Sequence, residues 1–194
     1  MKRLIFVALF AASSAAMLSS CSYYNKPVTM QEKVDAAWAQ VQNQYQRRSD
    51  LIPNLVETVK GYAKHEAQTL EGVVEARARA TQVVISPERL DEASLKRFQA
   101  AQSGVSSALG RLMAIAESYP DLKANQNFLE LQAQLEGTEN RIAVERRSFN
   151  EVTREYNAYI RRFPNNIFAG MFGFEKRAYF EADPGAEKAP DVKF

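Results

Sequence analysis

One cysteine, one histidine and one tryptophan occur among 194 residues. A lone cysteine leaves the chain no internal disulfide and no thiolate metal site, so in an oxidising compartment the fold must stand on packing alone. A lone histidine, His65, excludes the paired histidines of a zincin helix, because the residue four places on is Thr69. It also excludes the two Glu-x-x-His repeats of a di-iron bundle. No P-loop, G-x-G-x-x-G or G-x-S-x-G occurs, and the residues offer no catalytic set, metal set or cofactor fingerprint. Hairpin dipeptides and sustained two-residue alternation are missing, which removes the usual signs of a sheet. A charge excess is missing too. With Lys2 and Arg3 set aside, the 25 Lys and Arg fall to 23 and balance the 23 Asp and Glu. No surplus is left to neutralise phosphates, so nucleic acid is not an expected partner.

What is present starts at the N-terminus. Lys2 and Arg3 precede a run, Leu4 to Met17, that is apolar and small apart from Ser13 and Ser14, and no acid appears before Cys21. This is the plan of a secretory signal, and the run is shorter than the roughly 20 residues of a membrane-spanning helix. Leu18-Ser19-Ser20-Cys21 resembles the lipobox of bacterial lipoproteins. That resemblance implies residues 1–20 as a signal cut before Cys21, acyl chains on the Cys21 sulfur and on the new amino terminus, and residues 21–28 as a tether. Each buried methylene adds about 0.8 kcal/mol, so several chains hold firmly. An ordinary signal with a chance cysteine and a retained signal anchor are the two other readings of the same residues. Ser22, rather than Asp, at the next position resembles an outer-membrane address facing the periplasm in a double-membrane bacterium.

The body is striped. Thr29-Met30-Gln31-Glu32 fits a capping box. Val34, Trp38, Val41, Tyr45, Arg48, Ile52, Leu55, Val59 and Tyr62 then follow at alternate spacings of four and three, a heptad seam with Arg48 as its charged interruption. Pro53 falls within the seam without breaking its phase and predicts a kink near 49–52. A second helix is expected over about 65–84, on Leu70, Val73, Ala76, Ala80 and Val83. Ser86-Pro87-Glu88 reads as a third helix start, followed by Leu95, Phe98, Gln102, Val105, Leu109, Leu112, Ala116 and Tyr119. The Ser/Gly-rich stretch "QSGVSSALG" fits that helix. After Pro120 a long helix is expected from Asp121 to Phe163. Phe128, Leu135, Ile142, Phe149, Tyr156 and Phe163 recur every seventh residue, beside Leu131, Thr138, Glu145, Val152 and Tyr159. These stripes predict an all-α fold, an elongated antiparallel bundle of about four helices over 29–181. Residues 163–180 are rich in Phe and Gly and read as too glycine-rich for a helix, and 182–194 read as a tail.

Three stretches together carry a family resemblance: "QYQRRSDLIPNLVETVKGYAKHE" (44–66), "YPDLKANQNFLELQAQLEGTENRIAVERRSFN" (119–150), and "YNAYIRRFP" with "GFEKRAYFE" (156–181). They resemble the LemA family of bacterial envelope proteins. The resemblance implies a helical, membrane-tethered domain outside the cytoplasm and carries over no catalytic residues. Many members are held by an N-terminal transmembrane helix, where this chain has a lipobox.

Two features remain as candidates for function. Arg47, Arg48, Asp50 and Glu57 lie around the predicted kink, and Glu139, Arg141, Glu145, Arg146 and Arg147 lie midway along the last helix. Arg48 and Glu145 both interrupt seams, so they are expected either to meet as a buried register-fixing pair, to snorkel at the seam edge, or to line a ligand site. The segment 163–180 either folds back over the bundle or leaves its aromatics exposed as a docking patch for membrane or protein. The expected function is non-enzymatic: a lipid-anchored interaction or scaffold protein of the cell envelope, with a protein partner. Sustained heptads also permit homo-oligomers. The rivals are a carrier of lipid or a small apolar ligand, and an enzyme or accessory factor acting through the Arg/Glu cluster.

Overall fold

The structure, a computed structural model, describes residues 2–181, with side chains from residue 23 onward. Cys21 as a lipid-bearing side chain, and the tail 182–194, therefore lie outside the described residues. Six α-helices follow in order: α1 (Lys2–Tyr62), α2 (Ala67–Gln82), α3 (Glu92–Ala116), α4 (Pro120–Lys123), α5 (Gln126–Arg161) and α6 (Asn165–Phe172), with a 3-10 turn at Pro87–Arg89. No strand occurs among the described residues. Helices α1, α2, α3 and α5 run alternately up and down as a bundle, with α1 packed along α5 and α2 along α3. The all-α antiparallel bundle is thus the observed fold, with two short helices added to its four long ones.

The seams are what the bundle buries. On α1, Val34, Trp38, Val41, Tyr45, Ile52, Leu55 and Val59 are buried, and so are Leu95, Phe98, Val105, Leu109, Leu112 and Ala116 on α3. On α5 the seven-residue row holds through Phe128, Leu135, Ile142, Phe149 and Tyr156. It fails at Phe163, 81 % exposed, because α5 has already ended at Arg161. Pairing along α1 and α5 keeps one antiparallel register. Tyr62 Oη accepts from Asn125 Nδ2, Arg48 pairs with Glu139, and the Trp38 and Phe149 rings touch. Each step forward on α1 is matched by an equal step back on α5.

Four local expectations are corrected. Residues 23–28 continue α1 instead of forming a tether, and Thr29 does not cap a helix start: its hydroxyl donates to Asn25 O at 2.9 Å. Tertiary support holds that turn despite Pro27, since Tyr23 stacks on Phe168 and Tyr24 meets Phe172. The third helix starts at Glu92, not at Pro87. Asp91 caps it by accepting from Ser94 N at 2.8 Å, and that bond, with one from the Ser94 hydroxyl, holds the Asp91 carboxyl below its ordinary range. The long last helix is interrupted at 124–125, where Asn125 Oδ1 accepts from Phe128 N at 3.0 Å and restarts it. Finally, 165–172 is helical despite Gly170. Buried Ala169 fixes it, and Gly173, at φ 74°, closes it with Phe174 N donating to Ala169 O. That left-handed position favours glycine, and tertiary packing outweighs the weak helix propensity upstream.

Pro53 leaves α1 continuous. A proline lacks the N–H that would bind the carbonyl four residues earlier, here Ser49. Arg77 of α2 fills the gap, its Nε donating to Ser49 O at 2.8 Å. The proline thus opens a docking point for the neighbouring helix.

Candidate functional site

Arg48 is 2 % exposed, yet it carries a charge into the seam. Such a group is tolerable only if paired and hydrogen-bonded. Its Nη1 donates to Glu139 Oε1 at 2.7 Å and Ser106 Oγ at 2.8 Å, and its Nη2 donates to Gln102 Oε1 at 2.7 Å and Gln102 O at 3.1 Å. The guanidinium also lies 5.1 Å from the Tyr45 ring centre. One side chain therefore ties α1 to α3 and α5 at a single level.

That level divides the interior. Above it one apolar cluster gathers Trp38, Phe98, Phe149 and Tyr156; below it another gathers Ile52, Leu112, Leu135 and Phe128. The polar residues Arg48, Gln102, Ser106 and Glu139 form the layer between them. Beside a wider groove of about 560 Å³ that Ser106 and Glu139 line between α3 and α5, two clefts of about 120 and 110 Å³ flank Arg48. They have room for a few waters and are below the size of ordinary ligand pockets.

Glu145 is not the partner of Arg48. The register sets this: ten residues on from Trp38 along α1 is Arg48, and ten back from Phe149 along α5 is Glu139. Glu145 stands nearly two turns away and is half-buried. The sequence placed a basic and an acidic interruption on facing seams but carried no information on the vertical offset between the helices. His65 is exposed in the turn between α1 and α2. Among the described residues, no three His, Cys, Asp or Glu side chains gather as a metal set would. Nor is any helix among them long and apolar enough to cross a membrane.

A second polar arrangement escaped the sequence. Residues 174–181 run back along α5, held by two of its asparagines. Asn157 donates to Arg177 O at 2.8 Å and accepts from Arg177 N at 3.0 Å; Asn150 does the same for Phe180 at 3.0 and 2.9 Å. Seven residues of helix rise about 10 Å, as do three residues of extended chain, so the clamps and the backbone are in step. Leu90 O accepts from Ala178 N on the other side, and Phe180 is buried against Trp38 and Phe149. Beside this strap, burial pushes the Asp35 carboxyl up, with Arg177 opposing and Glu32 and Glu88 adding to the rise. Burial likewise raises the Tyr156 phenol. Asparagines seven apart were the available signal, but surface asparagines at helical spacing are common. Asn157→Ala would strand the backbone of Arg177 and cost about 2 kcal/mol. Trypsin cleavage after Arg177, slow in the native chain, should accelerate several-fold. Unchanged cleavage would mean the clamp does not hold the strap.

The Phe-rich segment thus splits. Ala169 and Phe180 are buried, whereas Phe163, Ile167, Met171 and Phe172 are exposed.

The LemA family model matches residues 37–194. Magnetosome protein MamQ 2 of Paramagnetospirillum magneticum is 28 % identical over 181 residues, a match covering 84 % of this chain and 66 % of that protein. Magnetosome protein MamQ of Magnetospirillum gryphiswaldense is 29 % identical with the same coverage. Protein LemA of Metamycoplasma hominis is 24 % identical over 158 residues, covering 81 % of this chain and 68 % of that protein. The chain thus spans just under two thirds of the length of these magnetosome relatives.

Proposed function

The chain belongs to the LemA family, and from that premise we propose that it is a membrane-tethered helical rod of the bacterial envelope that works by contact with a protein partner and not by catalysis. The observation that carries this reading is the saturation of the Arg48 layer. Arg48, the buried member of the Arg/Glu cluster where the sequence offered reactive groups, donates to Glu139, Gln102 and Ser106 at the partly exposed rim of the bundle. A buried guanidinium committed to four bonds in this way holds helices in register and is not free to polarise a substrate.

The tether is acylation of Cys21, supported by Leu18-Ser19-Ser20-Cys21 and the apolar run before it. With Ser22 next, the address is the outer membrane facing the periplasm in a double-membrane cell. Because α1 runs unbroken through this region into the core, the rod stands directly on its anchor. From Tyr23 to Tyr62 it extends about 60 Å, which places the α1–α2 turn well clear of the bilayer and available to a partner or to a second copy.

The test is crosslinking in intact cells expressing the full chain, with Cys21→Ala alongside. A defined partner band that depends on Cys21, with the native chain in the membrane fraction, is the expected outcome. A native chain recovered soluble and unacylated would remove the tether. A membrane-bound chain that crosslinks to nothing would remove the scaffold role.

A further inference from the structure

The face of α6 left uncovered has a composition unlike the rest of the surface. From Phe163 to Phe174 there is no charged residue. Phe163, Ile167 and Met171, four residues apart, are 81, 56 and 65 % exposed, and Phe172 beside them is 43 % exposed. Single exposed apolar side chains are ordinary; four on one short uncharged element are not. Basic residues bracket it. Arg161 and Arg162 precede it, Lys176 follows and Lys26 stands on the adjacent turn of α1, all exposed, with Glu175 as the acid at its edge. This is the pattern of an element lying in a lipid interface: aromatic and aliphatic groups inward, cations at the headgroups.

Position selects the occupant. α6 is fastened to α1 at Tyr23 and Tyr24, where Tyr23 stacks on Phe168 with ring centres 4.6 Å apart and Tyr24 meets Phe172 at 5.2 Å. Cys21 lies two residues before Tyr23, about 3 Å along the helix, and the apolar run Leu4 to Met17 precedes it. Any anchor acting through those residues brings α6 to the bilayer. A protein partner would have to approach this face through the headgroups.

We propose that α6 is a second membrane contact: Phe163, Ile167, Met171 and Phe172 enter the interface of an anionic bilayer, while Arg161, Arg162 and Lys176 meet its headgroups. The proposal rests on the tethered-rod reading and extends it, because two contacts fix the tilt of the rod where one acyl anchor leaves it to swivel.

The experiment uses the full-length chain purified from membranes, with Ile167→Cys or, at the far end, Lys64→Cys carrying an environment-sensitive thiol fluorophore. The acylated Cys21 sulfur is a thioether and takes no label, so the unsubstituted chain is both the blank and an independent check on the tether. Vesicles of phosphatidylcholine and phosphatidylglycerol with acyl-brominated lipid should quench the probe at 167 at least about twofold and leave the probe at 64 unchanged. Omitting phosphatidylglycerol should weaken that quenching; equal quenching would overturn the headgroup part. A probe at 167 as open to aqueous iodide as the one at 64 would overturn the proposal. So would a probe shielded from both quenchers, which would mean a protein or a second copy covers α6. If the blank takes label, the acyl tether fails on its own, and the measurement repeated with Cys21→Ser decides α6 alone: bromolipid quenching upholds it and none overturns it.

Discussion

Arg48→Glu is expected to prevent the bundle from closing, whereas Arg48→Met should change its stability by no more than about 1 kcal/mol. The difference lies in what each side chain leaves behind. Glutamate puts a second carboxylate against Glu139 in a position that is 2 % exposed, with the acceptors of Gln102 and Ser106 facing it as well. The new carboxylate finds no cation in that buried position and stands against a like charge, and the cost is about 3–5 kcal/mol, a large share of a domain's stability. Methionine fills the same channel with apolar volume and joins the clusters above and below. Gln102 is partly exposed and Glu139 is 43 % exposed, so both can recover water. Glu139→Ala alone leaves the guanidinium to Gln102 and Ser106. Because Glu139 is half in solvent, that loss is about 1–2 kcal/mol, below the figure for a fully buried partner. In the Arg48→Met background the same change should cost almost nothing. Chemical denaturation of the four chains closes the cycle, and a coupling near zero would show that the pair does not act as a unit.

The second large effect is at Trp38. Its ring is fully buried and meets Phe98, Phe149 and Phe180 at 5.2, 5.7 and 6.0 Å between centres. Its Nε1 donates to Ile85 O at 3.2 Å, which Gln42 also reaches, so the α2–α3 connection is pinned to α1. Trp38→Ala opens a cavity where α1, α3, α5 and the strap converge and should cost about 3–5 kcal/mol, lowering Tm by roughly 10 °C. Trp38→Phe should lose about half as much, keeping a ring but not the bond. The substitution removes the one tryptophan, so circular dichroism or calorimetry must be the readout. Cleavage after Arg177 should accelerate too, because Phe180 loses the ring it rests on. A stable Trp38→Ala chain with a protected strap would place the centre of the upper core elsewhere.

Heptads made most of the architecture legible. A helix has so simple a period that Val34 through Val59 and Phe128 through Tyr156 announce their buried face before any partner is known. The same spacing singled out Arg48 as inward and charged. Boundaries were less legible, for physical reasons. Pro27 reads as a break in isolation, but two ring contacts from α6 stabilise that turn. Gly170 reads as a helix breaker, but the buried methyl of Ala169 and the left-handed Gly173 carry α6. Proline and glycine penalties are of the order of 1–3 kcal/mol, and tertiary contacts outweigh them without leaving a trace in local sequence.

From the sequence alone came the helical class, the faces that turn inward, the lipobox-like run at Cys21 and the family resemblance, because each is written in local spacing or in contiguous motifs. Tertiary structure alone decided that Arg48 meets Glu139 and not Glu145, that Asn150 and Asn157 grip residues 177 and 180, and that α6 turns Ile167 and Met171 outward beside Tyr23. A stripe specifies which side of a helix is buried; only the packed bundle sets how far one helix slides along the next, and a shift of two turns changes every polar partner.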